Sequence, residues 1–176
     1  MAKTGTYTKI ATTTLTSSAL SVTFGTGSPL SGNIPSTYTD LVLVVHARPA
    51  NNGENINLQF NGDTGTNYSI TQLVGNGSAA VATSGRLSNY NYMRTTDNLP
   101  NTVSYSPIIA NIQDYNNSTT YKTVLSRGSG SVWVTAIAGV WRSTAAITSI
   151  KVICSDGTVN MLTGSTFTLY GIEAYK

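Results

Sequence analysis

Short runs in which apolar and polar residues alternate, separated by turn-forming residues, constrain the fold of this chain more than any other feature. Leu20, Val22 and Phe24 alternate with Ser and Thr, which is typical of a strand with one buried and one solvated face. Ile56–Phe60 alternates in the same way. Glu, a strong helix former, occurs only twice, so long helices are not expected. The chain is predicted to be all-β.

Further runs of this kind extend the prediction to the whole chain of 176 residues as a single domain, with residues 1–14 as an N-terminal segment. Residues 41–47 are apolar at nearly every position, which predicts a strand in the middle of its sheet. About eight to ten strands with short turns favour a two-sheet antiparallel sandwich, with a jelly roll ranked above other sandwiches. The predicted core contains Leu43, Val45, Phe60, Ile112, Trp133, Ile137, Ile150 and Leu169.

Two dipeptides predict tight turns. Asn61-Gly62 lies between the runs 56–60 and 68–71, which predicts a β-hairpin. Asp156-Gly157 predicts a second turn. Asp63 and Asp156 are therefore interpreted as turn residues, which hold the backbone through their own side chains.

Residues 75–107 interrupt the alternation and are predicted to form one long loop or insertion. Tyr, Met and Arg are enriched at protein interfaces, whereas a merely solvated loop has little need of them. The segment is therefore a candidate for protein–protein contacts, and the alternative is that its tyrosines cover the open end of the sandwich. The candidate contact residues are Tyr90, Tyr92, Met93, Arg94 and Tyr105.

Composition excludes several classes of function. Charged residues make up 10% of the chain and its net charge is +3, with the Lys and Arg residues scattered, so direct nucleic-acid binding is not expected. No apolar stretch reaches about 18 residues and no signal sequence is present, so neither a membrane span nor secretion is expected. The single cysteine, Cys154, forms no internal disulfide, which is consistent with folding in a reducing cytosol.

Residues capable of acid–base or metal chemistry are scarce. His46 lies within the apolar run 41–47 and is interpreted as a core or sheet-face residue rather than a catalyst. Cys154 follows Ile and Val residues and is interpreted as a small buried hydrophobe. The five Asp residues are spread over separate loops. We therefore expect no catalytic residues, no metal and no cofactor.

The two tryptophans allow two readings. Trp133 and Trp141 lie eight residues apart on one face of a predicted strand, where flat rings could form a platform for sugars. The opposite face, residues 132–140, is also apolar, as expected for a strand buried on both sides. Core packing is the favoured reading.

Several motifs, in their order along the chain, resemble those of small β-sandwich virion structural proteins of tailed bacteriophages. The resemblance covers nearly the whole chain except residues 75–107, and its motifs are structural rather than catalytic. They are residues 5–11 (GTYTKIA), 21–24 (SVTF), 34–41 (IPSTYTDL), 58–63 (LQFNGD), 67–69 (NYS), 114–115 (DY), 121–123 (YKT), 146–150 (AITSI) and 164–172 (GSTFTLYGI).

The resemblance implies a non-enzymatic protein of the virion exterior, made in the host cytoplasm. As a capsid decoration or cement protein it would bind the major capsid protein and itself, as a homo-oligomer for which capsid symmetry favours a trimer. As a tail-fibre or receptor-binding module it would bind host glycans, and as an enzyme it would cleave them. Decoration is favoured because the chain begins with its own Met1 and has no fibrous shaft.

Overall fold

A computed structural model of the protein describes residues 6–27, 29–75, 83–102, 104–130 and 133–173. These residues form thirteen β-strands and no helix, which confirms the all-β prediction. The strands are β1 (Tyr7–Thr14), β2 (Ser21–Phe24), β3 (Pro29–Leu30), β4 (Asp40–Ala47), β5 (Ile56–Phe60), β6 (Tyr68–Gly75), β7 (Thr83–Tyr90), β8 (Met93–Arg94), β9 (Ser106–Gln113), β10 (Lys122–Ser129), β11 (Val134–Trp141), β12 (Ile150–Cys154) and β13 (Thr166–Ile172).

The strands form two sheets, which confirms the predicted two-sheet sandwich. The larger sheet has eight strands in the order β1-β13-β4-β9-β10-β11-β6-β7, and the smaller has five in the order β3-β2-β12-β5-β8. All neighbouring strands are antiparallel except the short pair β2 and β3. As predicted for residues 41–47, β4 is an interior strand, between β13 and β9.

The core lies between the two sheets, because every second side chain of each strand points inward. On β4 these are Leu41, Leu43, Val45 and Ala47, all buried. Trp133, which precedes β11, is only partly buried, so the prediction that it is a core residue is wrong. The other predicted core residues are buried, namely Leu43, Val45, Phe60, Ile112, Ile137, Ile150 and Leu169.

The hairpin predicted at Asn61-Gly62 is wrong, although the turn itself is present. Both residues have positive φ, at 53° and 70°. The strands on either side, however, belong to different sheets, since β5 pairs with β12 and β8 while β6 pairs with β11 and β7. Tyr68 supports this crossing, because its hydroxyl accepts from the Phe60 N–H and donates to the Asp63 carbonyl, each at 3.0 Å. Turn chemistry sets the local backbone, whereas strand pairing is decided by distant partners.

The segment 75–107, predicted as a long loop, contains two strands and carries the chain from one sheet to the other. β7 pairs with β6 at the edge of the larger sheet, and β8 pairs with β5 at the edge of the smaller one. β7 has the sequence TSGRLSNY, whose small and polar residues give little apolar alternation. Such a composition suits an edge strand. Residues 76–82 and 103 of this segment lie outside the described residues, as do residues 1–5 of the predicted N-terminal segment.

Candidate functional site

Tyr90 and Tyr92 form an aromatic pair where β7 leads into β8. Their ring centroids are 5.5 Å apart and the ring planes meet at 70°, an edge-to-face arrangement that aromatic pairs prefer. Both side chains are partly exposed. Since the two rings support each other, they offer a rigid surface at the edge of the sandwich.

Arg94 lies beside this pair and is oriented by an acidic neighbour. Its Nη1 donates to Asp97 Oδ1 at 3.3 Å, and Gln72 Nε2 donates to the other carboxylate oxygen at 3.2 Å. Burial raises the pKa of the Tyr92 hydroxyl, and the positive charge of Arg94 partly offsets this effect. Tyr90, Tyr92 and Arg94 therefore form one group, which we call the tyrosine edge.

Met93 does not belong to this surface, and the prediction that it is an exposed contact residue is wrong. Its side chain is fully buried. It points inward because it pairs with Leu58, an inward-facing residue of β5. Met93 also packs closely on Gly139, where an added Cβ would lie 2.7 Å from its sulfur. Met93 is thus a core residue.

Tyr105 is exposed, but it lies far from the tyrosine edge. Its hydroxyl donates to the Thr163 carbonyl at 2.9 Å, and the Arg48 guanidinium lies 5.4 Å from its ring centroid. Tyr105 immediately precedes the first residue of β9, whereas Tyr90 pairs with Tyr68 at the opposite end of the larger sheet. The structure therefore brings together three of the five candidate contact residues.

A second surface is formed by the side chains of the larger sheet that point away from the smaller sheet, which we call the outer face. Three large apolar residues stand out on it: Val134 is 65% exposed, Leu73 56% and Leu125 44%. Ala136 and Ala138 are exposed beside them. The prediction that residues 132–140 are buried on both sides is therefore wrong for the described part, since no described residue covers this side of β11. Residue 132 itself lies outside the described residues.

The register of the strands joins these side chains into one patch. Arg127 pairs with Ala136, and Ala136 pairs with Leu73 on the next strand. Two residues further along β10 and β11, on the same face, Leu125 pairs with Ala138. Because directly opposite side chains in an antiparallel sheet lie about 5 Å apart, these residues touch across the strands.

Two shallow depressions flank Arg127 on the outer face. One, of about 460 Å³, lies between Leu73, Leu125 and Ala136. The other, of about 250 Å³, lies between Ile109 and Val134. Arg127 lines both. Such depressions in an apolar surface can receive side chains of another protein.

His46 and Cys154 occupy the kinds of position predicted for them. His46 is an exposed sheet-face residue on the outer face, paired with Thr166 and Pro107. Cys154 is fully buried, and its burial, together with the nearby charges of Glu54 and Asp156, raises the pKa of its thiol to about 12. Within the described ranges, no three His, Cys, Asp or Glu side chains are grouped so that they could hold a metal ion. The described part of the chain also contains no helix that could cross a membrane.

The tryptophans do not form a joint exposed platform. Trp141 is 2% exposed and packs on Phe60, with ring centroids 5.5 Å apart. Its indole N–H is satisfied by Asp63, which was predicted only to shape a turn. The interpretation that the tryptophans pack in the core is confirmed for Trp141, whereas Trp133 is only partly buried.

The outer face is the feature that sequence reasoning missed. Its signal was present in β11, where both alternating faces are apolar. That pattern was interpreted as burial within the protein, whereas an uncovered apolar face produces the same pattern. Only the exposure of these side chains in the folded chain distinguishes a buried face from an uncovered one.

No family model matches the sequence, and no curated protein matches it. Among solved structures, the chain is similar to the "Crystal structure of infectious bursal disease virus VP2 subviral particle", with a TM-score of 0.17 and 12% sequence identity. The alignment covers 94% of this chain and 40% of that chain, so this chain spans less than half of that protein's length. A similarity of this size carries no argument about fold or function.

Proposed function

We propose that the protein is a structural component of a tailed-bacteriophage virion, and specifically a capsid decoration or cement protein. In this role it sits on the exterior of the particle, binds the major capsid protein and braces neighbouring capsomers. It acts as a homo-oligomer, with a trimer matching capsid symmetry. It works by binding and not by catalysis.

The observation that carries the proposal is the apolar outer face of the larger sheet. Exposed apolar patches of this kind mark sites of protein association, because leaving them in water is unfavourable. Its depressions are open and shallow, and they are lined mainly by aliphatic side chains around one Arg. A surface of this shape suits contact with another protein better than capture of a small substrate.

The motifs that resemble phage virion proteins support the same proposal through the fold. Gly171, in the closing motif, packs directly under the Tyr38 ring, which leaves no room for a Cβ. Asn61, in the motif LQFNGD, accepts the backbone N–H groups of Thr148 and Ser149 at 2.8 and 3.1 Å. These motifs therefore join distant parts of the sandwich, which explains why a family of such sandwiches would share them.

The tyrosine edge is the proposed contact with the major capsid protein. Rigid aromatic side chains and Arg bury much area with little loss of conformational entropy, so they often dominate binding energy. The edge also lies apart from the apolar patch, because Tyr90 pairs with Tyr68 at the start of β6, whereas Leu73 of the patch lies five residues further along that strand and pairs with Ser84. One molecule can therefore make contacts through both surfaces at the same time, and linked weak contacts increase avidity.

Cryo-EM of the intact particle tests the proposal, with the protein located by an antibody fragment or a fused tag. We expect density on the outside of the head at junctions between capsomers. Density confined to the tail would contradict decoration and support the tail-fibre alternative, in which host glycans are bound. Absence of the protein from purified particles would contradict a virion role altogether.

A further inference from the structure

We infer that a groove on the outer face binds an extended segment of another virion protein, in which acidic residues accompany apolar ones. This inference rests on the proposed function, because it takes the partner to be a protein of the same particle. It names the chemistry of the segment that the outer face receives, and it does not depend on whether the protein is on the head or the tail.

The groove consists of three adjoining shallow depressions. The depressions of about 460 and 250 Å³ share Arg127. A third, of about 290 Å³, is lined by Arg86 and shares Thr71 and Ala138 with the largest one. Together they cross four intervals between neighbouring strands, from β9 to β7, which gives a length of about 20 Å. An extended chain covers this length with about six residues.

The groove has an apolar floor. In an antiparallel sandwich the outward side of a sheet is normally polar, since it remains in water. Here Leu73, Leu125 and Val134 line the depressions and are each more than two-fifths exposed. Because apolar surface in water is unfavourable, apolar side chains of an occupant gain by covering this floor.

The charge of the groove favours an acidic occupant. Arg127 on β10 and Arg86 on β7 are three strand intervals apart, which is roughly 14 Å. All seven acidic residues of the chain lie in the described ranges, and none of them lines the groove or forms an ion pair with either arginine. Two carboxylates about four residues apart on an extended segment would therefore supply the missing partners.

A second copy of this chain does not supply this complement. Two identical grooves placed face to face would bring the arginines of both copies together. The outward positions of β1, β13, β4 and β9 carry Lys9, opposite Tyr170, as well as Asp40, so they present no excess of negative charge. Anionic membranes and nucleic acids are also less suitable, because they are normally bound by larger clusters of cations than these two arginines.

Photo-cross-linking identifies the occupant directly. Leu125 of the full-length protein is replaced by p-benzoylphenylalanine, the protein is bound to particles that lack it, and the cross-linked peptide is read by mass spectrometry. We expect a peptide of another virion protein, with Asp or Glu within a few residues of an apolar attachment site. The control places the same group at Leu20, which is 47% exposed next to β2 of the smaller sheet. The same peptide from both positions would overturn the assignment to the groove.

Charge reversal tests the two arginines. The double variant Arg127→Glu, Arg86→Glu is expected to bind particles about tenfold more weakly than the wild type, since two attractions become repulsions. Its binding should also depend less steeply on salt. Lys9→Glu is the matched control, because it reverses a cation of the same face outside the groove, and it should bind like the wild type. Circular dichroism reports folding, and the double change to Gln replaces the change to Glu if the latter unfolds the protein.

The outcomes separate this inference from the proposed function. A cross-linked peptide from this chain, one without acidic residues, or none from a bound protein overturns the inference and leaves decoration standing. So does equal binding of wild type and folded double variant, or an equal loss in Lys9→Glu. A peptide from a tail protein supports the inference while decoration fails. Flotation with phosphatidylserine vesicles that the double variant loses assigns the groove to anionic lipid and overturns the inference. A wild type absent from particles overturns both proposals.

Discussion

The indole Nε1–H of Trp141 donates a hydrogen bond to Asp63 Oδ2 at 2.7 Å, and this contact ties the larger sheet to the turn that follows β5 of the smaller sheet. The same carboxylate accepts from the Gly65 N–H at 2.8 Å and from Asn67 Nδ2 at 3.0 Å. Asp63 therefore fixes both the turn and the end of β11. Trp141 is buried, so its N–H depends on this partner.

Asp63→Asn is expected to destabilise the protein by about 1.5–3 kcal/mol, the range for hydrogen bonds to charged groups. The amide keeps the size of the side chain but removes the charge and half of its accepting capacity. Urea unfolding followed by Trp fluorescence measures the change. Asp156→Asn is the control, since that exposed Asp holds its own turn through Thr158 and should change stability much less. Equal stability of wild type and Asp63→Asn would show that the Trp141 contact contributes nothing.

The Asp63 carboxylate is also expected to make the stability of the fold depend on pH. Partial burial alone would raise the pKa of Asp63, but hydrogen bonds from Trp141, Asn67 and Gly65 outweigh it and lower the pKa below its usual 3.8. A carboxyl whose pKa is lower in the folded state stabilises the fold above its unfolded pKa and ceases to do so as pH falls through the folded value. Between pH 7 and pH 2, wild type should therefore lose more stability than Asp63→Asn. Parallel pH profiles for the two proteins would contradict this.

Lys122 is expected to act as a buried structural cation. Its side chain is fully buried, and Nζ donates to the carbonyls of Thr120 and Thr144 at 2.7 and 3.1 Å. Burial lowers the pKa of this amine, and the charge of Asp114 partly offsets the effect. Lys122→Met should destabilise the protein by about 1–3 kcal/mol, because two carbonyls lose their donor. Lys151→Met, on an exposed position of β12, is the control in the same unfolding assay and should change little.

The fold class was predictable because alternation is a local signal. Ser21–Phe24 and Ile56–Phe60 each reveal their strand from a few consecutive residues. The sheet to which a strand belongs is not local: β5 and β6 flank a hairpin-type turn, yet they do not pair with each other, and β5 pairs with β12 and β6 with β11, each more than fifty residues away in sequence. β7 was not predicted for a different reason: it is a polar edge strand, and its sequence has no apolar alternation.

Part of the candidate site was also predictable, because it too depends on a local signal. Tyr90 and Tyr92 are two residues apart in the chain, so their grouping in space follows from sequence proximity. Met93 could not be assigned, because its burial depends on pairing with Leu58. The outer face was missed because nothing in the sequence of β11 tells a face covered by the same chain from one left open to another molecule.

The final prediction concerns the binding of the tyrosine edge to particles. Replacing Tyr90, Tyr92 and Arg94 together by Ala should leave the sandwich folded and the outer face intact, but should lower occupancy on particles. Interface anchors of these types often cost about 2 kcal/mol or more when truncated, which is roughly 30-fold in affinity per residue. Occupancy is measured by mixing purified protein with particles that lack it, followed by sedimentation and gel quantification.

Two further variants make that experiment decisive. Tyr121→Ala removes another exposed tyrosine, 57% exposed and outside the edge, and should bind particles like the wild type. Tyr90 also packs against the core, so the double variant Tyr92→Ala, Arg94→Ala is used if the triple variant unfolds; its expected loss is smaller but in the same direction. If the folded variants occupy particles as well as the wild type does, the tyrosine edge is not the capsid contact. The opposite edge of the larger sheet, where Tyr7 is 59% exposed beside Tyr170, then becomes the surface to test.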